Sequence, residues 1–322
     1  MGLKYSSFAI RGIDVSVFNG TIDWTKVSAN FSGIRVGYGR TIDTRFKSNW
    51  LNSKGKVNRI PYWYMDYYNN HISTHPAFGM TDEAWGQSQA EFCWATLKDD
   101  PSGAVMLDIE STNGNYAPKI ETVPERAQAI AKAFLERMDE LNKKRNGIYC
   151  SLGLLSWFSE WFKDRPLWVA WYPYRSVSGL DSSDIVYLVK KQGWKVAPLI
   201  WQYASDGDVD DNGSEDGLSM GMQYEFLDLN GWVGTPDQYS ALFGGPVVVV
   251  PTPEPEPEYI PGKYQITAQP YLFIREGMSA TSNKAGRYDP GAKVNISRVS
   301  GDWGLVEGQQ HFIYLGYAEK IS

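Results

Sequence analysis

Sulfur and imidazole are scarce in this chain. Its 322 residues include two cysteines, Cys93 and Cys150, and three histidines, His71, His75 and His311. Two cysteines cannot staple a chain of this length into a disulfide framework. Cys93 sits beside Phe92 and Trp94 in a helical stretch and Cys150 in a strand, so both read as packing residues, and a thiol–histidine hydrolase has little support. The scattered histidines do not offer the three ligands in register that a zinc site needs, so no metal is expected. Positive charge is short as well. Thirty-one basic residues face 37 acidic ones, a net of −6, which excludes nucleic acid as an expected partner because phosphate binding needs concentrated positive charge. No apolar run approaches the roughly 20 residues of a membrane span, so no membrane insertion is expected. Residues 1–12 lack the basic-then-apolar pattern of a secretory leader. No glycine-rich phosphate loop follows an expected strand, so no nucleotide and no other cofactor is expected.

Aromatic residues, by contrast, are abundant: 13 Trp, 20 Tyr and 13 Phe, 14% of the chain. Flat rings fill cores and also stack on sugars. Proline is concentrated at 246–261, where Pro-Val-Val-Val-Val-Pro-Thr-Pro-Glu-Pro-Glu-Pro-Glu-Tyr-Ile-Pro favours a stiff, extended spacer over a helix or central strand. The expected division is a large unit at 1–245, this linker, and a small unit at 262–322.

In the large unit, strand patterns at 9–15, 33–38, 59–66, 103–110, 146–151, 167–172, 198–203 and 222–228 alternate with helical stretches near 45–56, 81–98, 123–145, 153–164 and 181–192. Ala127, Ile130, Ala131, Phe134, Leu135, Met138 and Leu141 trace one helical face. Eight strands alternating with helices predict an α/β fold, an irregular (β/α) barrel of TIM type, irregular because the connection 204–221 is acidic and glycine-rich with no helical pattern. The small unit shows short strands at 271–275, 293–297, 303–306 and 312–315, separated by turns, and predicts a small all-β barrel.

In such a barrel the chemistry gathers at the C-terminal ends of the strands. The first strand ends in Asp14, the fourth in Asp108-Ile109-Glu110, and the eighth in Asp228. Asp108 and Glu110 lie two apart, so on a strand both side chains leave one face with roots about 6.6 Å apart. Two like charges that close raise the proton affinity of at least one, the pairing that glycoside cleavage uses. Solvated acids at a strand end, or a salt bridge to a lysine, fit the same string.

Six segments in order carry a resemblance: Gly12-Ile13-Asp14-Val15-Ser16, Val105-Met106-Leu107-Asp108-Ile109-Glu110, Gly147-Ile148-Tyr149-Cys150-Ser151, Leu167-Trp168-Val169-Ala170-Trp171-Tyr172, Ile200-Trp201-Gln202-Tyr203 and Leu227-Asp228-Leu229-Asn230. Together they resemble the glycoside hydrolase family 25 lysozymes found in bacteriophage endolysins. The resemblance implies a muramidase that hydrolyses the β-1,4 bond between N-acetylmuramic acid and N-acetylglucosamine in bacterial peptidoglycan. It implies Glu110 as general acid, Asp108 as the group that orients the sugar's N-acetyl arm or stabilises positive charge, and Asp14 and Asp228 as the rest of an acidic floor. Tyr62, Tyr64, Trp171, Gln202 and Tyr203 are the expected groove-lining residues, although strand alternation must turn some strand-end aromatics away.

Residues 264–322 resemble a bacterial SH3-type wall-binding domain through Leu272-Phe273-Ile274-Arg275-Glu276-Gly277, Asp289-Pro290-Gly291 and Gly301-Asp302-Trp303-Gly304-Leu305-Val306. From Lys263 to Ser322 seven basic and five acidic residues give +2, and Tyr271, Tyr288, Trp303, Phe312 and Tyr314 are candidates to grip the wall. The endolysin resemblance implies storage in the host cytoplasm and holin-dependent release to the wall. The segment 206–216 departs from the family, and from Asp208 it opens like a calcium loop, yet its twelfth position is Ser219 rather than Glu. A solvated acidic turn is the expected reading. Two other functions stay open: a non-catalytic wall-binding protein, and a chitinase-type hydrolase, whose longer acidic signature is missing at positions 103 and 106.

Overall fold

The computed structural model describes residues 3–67, 73–111, 119–173, 179–209, 215–244, 246, 259–279, 282–300 and 302–321. The chain forms two compact units, Met1–Val250 and Pro251–Ser322. Of the proline-rich stretch expected as a linker, 247–258 lie outside the described residues, as do His71, Gly301 and the middle of the acidic segment, 210–214.

In the first unit one sheet contains β1 (Arg11–Val15), β2 (Phe31–Tyr38), the two-residue β3 (Thr41–Ile42), β4 (Asn58–Tyr64), β5 (Met106–Asp108), β6 (Gly147–Ser151), β7 (Leu167–Ala170), β8 (Ile200–Ala204) and β9 (Asp228–Trp232). From β1 through β2 and β4 to β8 every neighbouring pair is parallel. β9 runs antiparallel to both β8 and β1 and closes an eight-stranded barrel, while β3 only extends β2. This corrects the strand expected at 222–228. Asp228 begins its strand instead of ending one. The physical reason is the connection between β8 and β9, which contains no helix among its described residues. A parallel partner needs a crossover element, and a chain that stays at the rim can only turn back.

The outer layer holds α1 (Phe46–Asn52), α2 (Asp82–Leu97), α3 (Pro124–Asn142), α4 (Ser182–Lys191) and α5 (Pro236–Phe243). Side-chain oxygens of Thr81, Asp181 and Thr235 accept backbone N–H groups at the starts of α2, α4 and α5, satisfying donors that the helix itself leaves free. On α3 the apolar stripe from Ala127 to Met138 is buried. The helix expected at 153–164 is instead a 3-10 segment, Leu152–Trp157, followed by turns. Helix α5 was not anticipated. It puts Tyr239, Leu242 and Phe243 into one apolar cluster with Phe31, Ile60, Met106 and Ile200, inward residues near the N-terminal ends of the parallel strands, and with Trp232 at the C-terminal end of the antiparallel β9. The barrel is therefore plugged at one end and open at the other.

The second unit is a seven-stranded antiparallel sheet: β10 (Gly262–Ile266), β11 (Leu272–Arg275), β12 (Lys284–Tyr288), β13 (Lys293–Ser300), β14 (Trp303–Val306), β15 (Phe312–Tyr314) and β16 (Ala318–Ile321). Tyr264, Ile266, Leu272, Val294, Ile296, Val306, Ile313 and Leu315 form its core. Strands β12 and β16 carry almost no buried side chain, which is why hydropathy did not reveal them.

Phe31 tests the plug. It is fully buried, with ring centroids 5.3 Å from Phe243 and 6.3 Å from Tyr239. Phe31→Ala should destabilise this unit by about 3–5 kcal/mol in denaturant unfolding, the range for emptying a packed aromatic site.

Candidate active site

Strand alternation decides which side chains meet inside the barrel. Ile13 and Val15 of β1 pack outward in the helix-facing core, so Asp14 points in. On β5 and its continuation Leu107 and Ile109 pack outward, so Asp108 and Glu110 point in. β9 brings Asp228 directly opposite Asp14 in register, with Cβ atoms about 4.5–5.5 Å apart by the geometry of such pairs. Because β9 descends from the rim, its first residue stands level with the last residues of the parallel strands. All four expected acids line one cavity of about 620 Å³ at the C-terminal end, together with Tyr62, Tyr64 and Gln202.

Two expected lining residues are not there. On β8 Ile200 and Gln202 point inward, which turns Trp201 and Tyr203 to the helix side. Tyr203 is buried against Phe8 at 5.1 Å. Trp171 likewise faces out and stacks on Trp201 at 5.6 Å with 12° between the planes. It lines a neighbouring groove instead. The structure adds Arg35, Tyr149 and Trp168, which the sequence reading passed over, and it places Tyr172 rather than its neighbour Trp171 in the cavity. Once Asp108 is set inward, counting by two along each strand reaches Tyr149, Trp168 and Tyr172. Nothing in the sequence marked Arg35.

The floor is a hydrogen-bonded row across the barrel. The Trp168 indole N–H donates to Asn230 Oδ1 at 2.8 Å, and Asn230 Nδ2 donates to Asp14 Oδ2 at 2.7 Å. Gln202 Nε2 donates to the same oxygen at 2.8 Å. The hydroxyls of Tyr149 and Tyr172 each donate to Gln202 Oε1 at 2.6 Å. An indole N–H can only donate, so the Asn230 amide must turn its oxygen to Trp168 and its nitrogen to Asp14. Gly33 makes room: a Cβ there would lie 2.5 Å from the Trp168 ring and 2.8 Å from Asp14 Cβ.

Four carboxyls in one cavity cannot all ionise at little cost. Burial raises Asp14, and the amides of Asn230 and Gln202 oppose the rise. Burial also raises Asp108, reinforced by Glu110 and Asp14 and opposed by Arg35, and Asp108 Oδ1 is buried with no hydrogen-bond partner. Asp228 is raised by burial and then by Asp14 and Glu110. Glu110 is raised by the cavity walls and by Asp14, against a hydrogen bond with Tyr149 and the charge of Arg35. It is nonetheless exposed at the mouth. The cluster thus shares its protons among neighbours, and Glu110 is its most accessible carboxyl. Among the described residues Arg35 is the one cation lining the cavity, held by Nε to Asp43 Oδ2 at 2.8 Å and lying 5.0 Å from the Phe18 ring.

Elsewhere the candidates look structural. Both cysteines are free and buried, and burial pushes each thiol up, away from the nucleophilic form. His75 Nε2 lies 3.1 Å from Asp66 Oδ2, and the Ala77 N–H donates to its Nδ1. Among the described residues no group of three His, Cys, Asp or Glu side chains is placed to hold a metal ion, and in the acidic segment Asp216 Oδ2 accepts the Val209 N–H. In the second unit Trp303 and Tyr314 are register partners with ring centroids 5.5 Å apart, half-buried and outside the core cluster. Tyr271 packs on Phe273 at 5.0 Å under Arg287, whereas Tyr288 leans on the core.

The raised carboxyls fix a pH dependence. A group that binds its proton more tightly folded than unfolded stabilises the fold in acid, and that stability is lost as pH rises. Asp108→Asn removes a fully enclosed one of them while keeping its shape. Its melting temperature should match the parent near pH 4 and exceed it increasingly towards pH 8; a constant difference across that range would refute the assignment.

The fold is shared with solved proteins of distant sequence. A family 25 glycosyl hydrolase from Bacillus anthracis superposes with a TM-score of 0.51 at 16% identity, over 74% of this chain and 95% of that one. A muramidase from Acremonium alcalophilum gives 0.50 at 20%, over 72% and 98%. The modular autolysin LytC from Streptococcus pneumoniae gives 0.50 at 19%, over 69% of this chain and 46% of that one. No curated protein matches by sequence. The sequence profile of Glycosyl hydrolases family 25 matches residues 13–212, well over half of the 322, and the chain belongs to that family of glycoside hydrolases.

Proposed function

We propose that this glycoside hydrolase is a peptidoglycan muramidase that cuts the β-1,4 bond from N-acetylmuramic acid to N-acetylglucosamine, with Glu110 as its proton donor. The observation that carries the reading is the four-carboxyl cavity, in which Glu110 alone is both raised and open at the mouth. Family membership supports the substrate class, and a structure of the pneumococcal autolysin holds a synthetic peptidoglycan ligand.

In this reading Glu110 gives its proton to the glycosidic oxygen as the bond to the anomeric carbon breaks. The substrate's own acetamide oxygen supplies the electron pair to that carbon, so no protein nucleophile is needed. Asp108, whose Oδ1 has no protein partner, accepts the acetamide N–H and aims the carbonyl. Asp14, whose ionised form the Asn230 and Gln202 amides favour, supplies negative charge to the developing cation. Glu110, now ionised, takes a proton from the water that completes hydrolysis. The alternative of a glycan-reading protein without catalysis is disfavoured, because burying four repelling acids destabilises a fold that only has to bind.

The second unit is proposed as an SH3-type wall-binding domain, with the paired rings of Trp303 and Tyr314 and the Tyr271 cluster as its contact surface. A proline-rich tether to such a domain raises the enzyme's effective concentration on an insoluble polymer. Service as a phage endolysin, reaching the wall after a holin opens the host membrane, suits that architecture.

Glu110→Gln should lower release of reducing ends from purified walls by about 10²–10⁴-fold with wall binding intact, the usual worth of a general acid. Mass spectrometry of the parent's products should show N-acetylmuramic acid at the new reducing end; free peptide amines would mean another bond. A chain ending at residue 245 should lose wall attachment more than hydrolysis of soluble fragments.

A further inference from the structure

The two aromatic surfaces of the second unit differ in charge. Trp303 and Tyr314 stand beside an acid, with the Tyr314 hydroxyl donating to Asp302 Oδ2 at 3.3 Å. The β11–β12 hairpin carries cations instead. Leu272 and Ile274 turn to the core, so alternation puts Phe273 and Arg275 on the outer face. Across the pair, Arg287 is the register partner of Phe273 and Lys284 that of Arg275. Lys284 and Arg287 are three apart, which on a regular strand would send them to opposite faces. The register shift between Ile274 and Arg275 absorbs the extra residue and brings both cations to the outer face. There Lys284 Nζ lies 3.9 Å from the centre of the Phe273 ring, and the Arg275 guanidinium lies 5.5 Å from the same ring. The Arg287 guanidinium stands 4.9 Å from the Tyr271 ring, which meets Phe273 edge to face at 5.0 Å.

Like charges directly opposite on neighbouring strands repel, and an exposed ring face attracts a cation only modestly. Carboxylates do little to relieve the crowding. Glu276 accepts from Asn283 Nδ2 at 2.9 Å, and Asp289 Oδ1 stays 3.9 Å from Arg287 Nε with both side chains largely exposed. Among the described residues no carboxylate pairs with Arg275 or Lys284. In a chain of net charge −6, three cations gathered on one outer face call for an anion from outside. Resting on the wall-binding reading, we infer that this hairpin face docks an anionic wall polymer whose repeating units are joined by phosphodiesters. A neutral glycan offers these cations nothing, and a stem peptide offers only scattered carboxylates, whereas a phosphodiester chain presents one charge per repeat along its length. Guanidinium forks fit phosphate oxygens in pairs, and the carbon backbone between phosphates can lie on Tyr271 and Phe273.

The test uses the full chain carrying Glu110→Gln, so that walls stay undigested. This parent is compared with Lys284→Gln/Arg287→Gln and with a charge-matched control, Lys293→Gln/Arg298→Gln, whose side chains are exposed on β13 outside the hairpin. Arg275 is left in place because its Nη1 donates to Ser282 O at 2.7 Å and braces the hairpin. Each protein is sedimented with Gram-positive walls bearing a glycerol-phosphate polymer, and with the same walls after hydrofluoric acid has cleaved the phosphodiesters and spared glycan and peptide. The hairpin variant should bind intact walls about tenfold or more weakly with a flatter salt dependence, and the control should change by less than about twofold. On stripped walls all three should bind alike. A soluble glycerol-phosphate oligomer should displace the parent from intact walls, where inorganic phosphate of equal phosphorus content does not. An unchanged melting temperature reports that these exposed substitutions leave the fold intact. Equal parent binding to intact and stripped walls, equal losses in the two variants, or displacement by free stem peptide rather than by the oligomer would overturn the assignment. A parent that sediments with neither wall preparation would overturn the wall-binding reading beneath it.

Discussion

One oxygen, Asp14 Oδ2, sets the geometry of the open end of the barrel. It accepts N–H groups from Asn230 on β9 and Gln202 on β8 while its own chain belongs to β1. Those strands are consecutive in the barrel order and include the closure, so the bond pair fastens the seam where the sheet joins itself. Each amide is oriented from its far side, Asn230 by an indole that can only donate and Gln202 by two phenols. A half-satisfied polar row inside a barrel would be worse than an apolar one; this row is satisfied along its length, and it holds the floor beneath the acids.

Above that floor the protein tolerates repulsion. Asp14 and Asp228 face each other across a strand pair, and Asp108 is enclosed with an oxygen that has no partner. Such an arrangement lowers stability at neutral pH, and the plugged end offsets it with a dense cluster of aromatic and aliphatic side chains supplied partly by α5. Stability and chemistry thus occupy opposite ends of one barrel. Arg35 trims the excess negative charge without cancelling it, because its Nε is already committed to Asp43.

The antiparallel β9 is what makes the acid cluster possible. Had the eighth strand followed a crossover helix, its first residue would lie at the plugged end, far from Asp108. Because the chain turns back at the rim, Asp228 enters the cavity first and Asn230 follows it into the floor, two residues deeper on the same face. The similarity to family 25 structures at 16–20% identity fits this picture. A barrel asks for alternation and side-chain size in its layers, which many sequences satisfy, while the rim asks for particular acids.

The sequence by itself determined the alternation of elements, the two-unit division and the four acids, because hydrophobic period, proline density and strand-end carboxylates are local signals. It also made α3 legible through its apolar stripe. It did not determine the strand β9, the plug α5, the 3-10 segment after β6 or the bare strands β12 and β16, whose form depends on what they pack against. Tertiary structure alone decided that Tyr203 and Trp171 face the helices and that Arg35, Tyr149, Trp168 and Tyr172 reach the cavity. The reason is physical: alternation says that neighbours on a strand part company, but only the closed barrel fixes which of the two faces is inside.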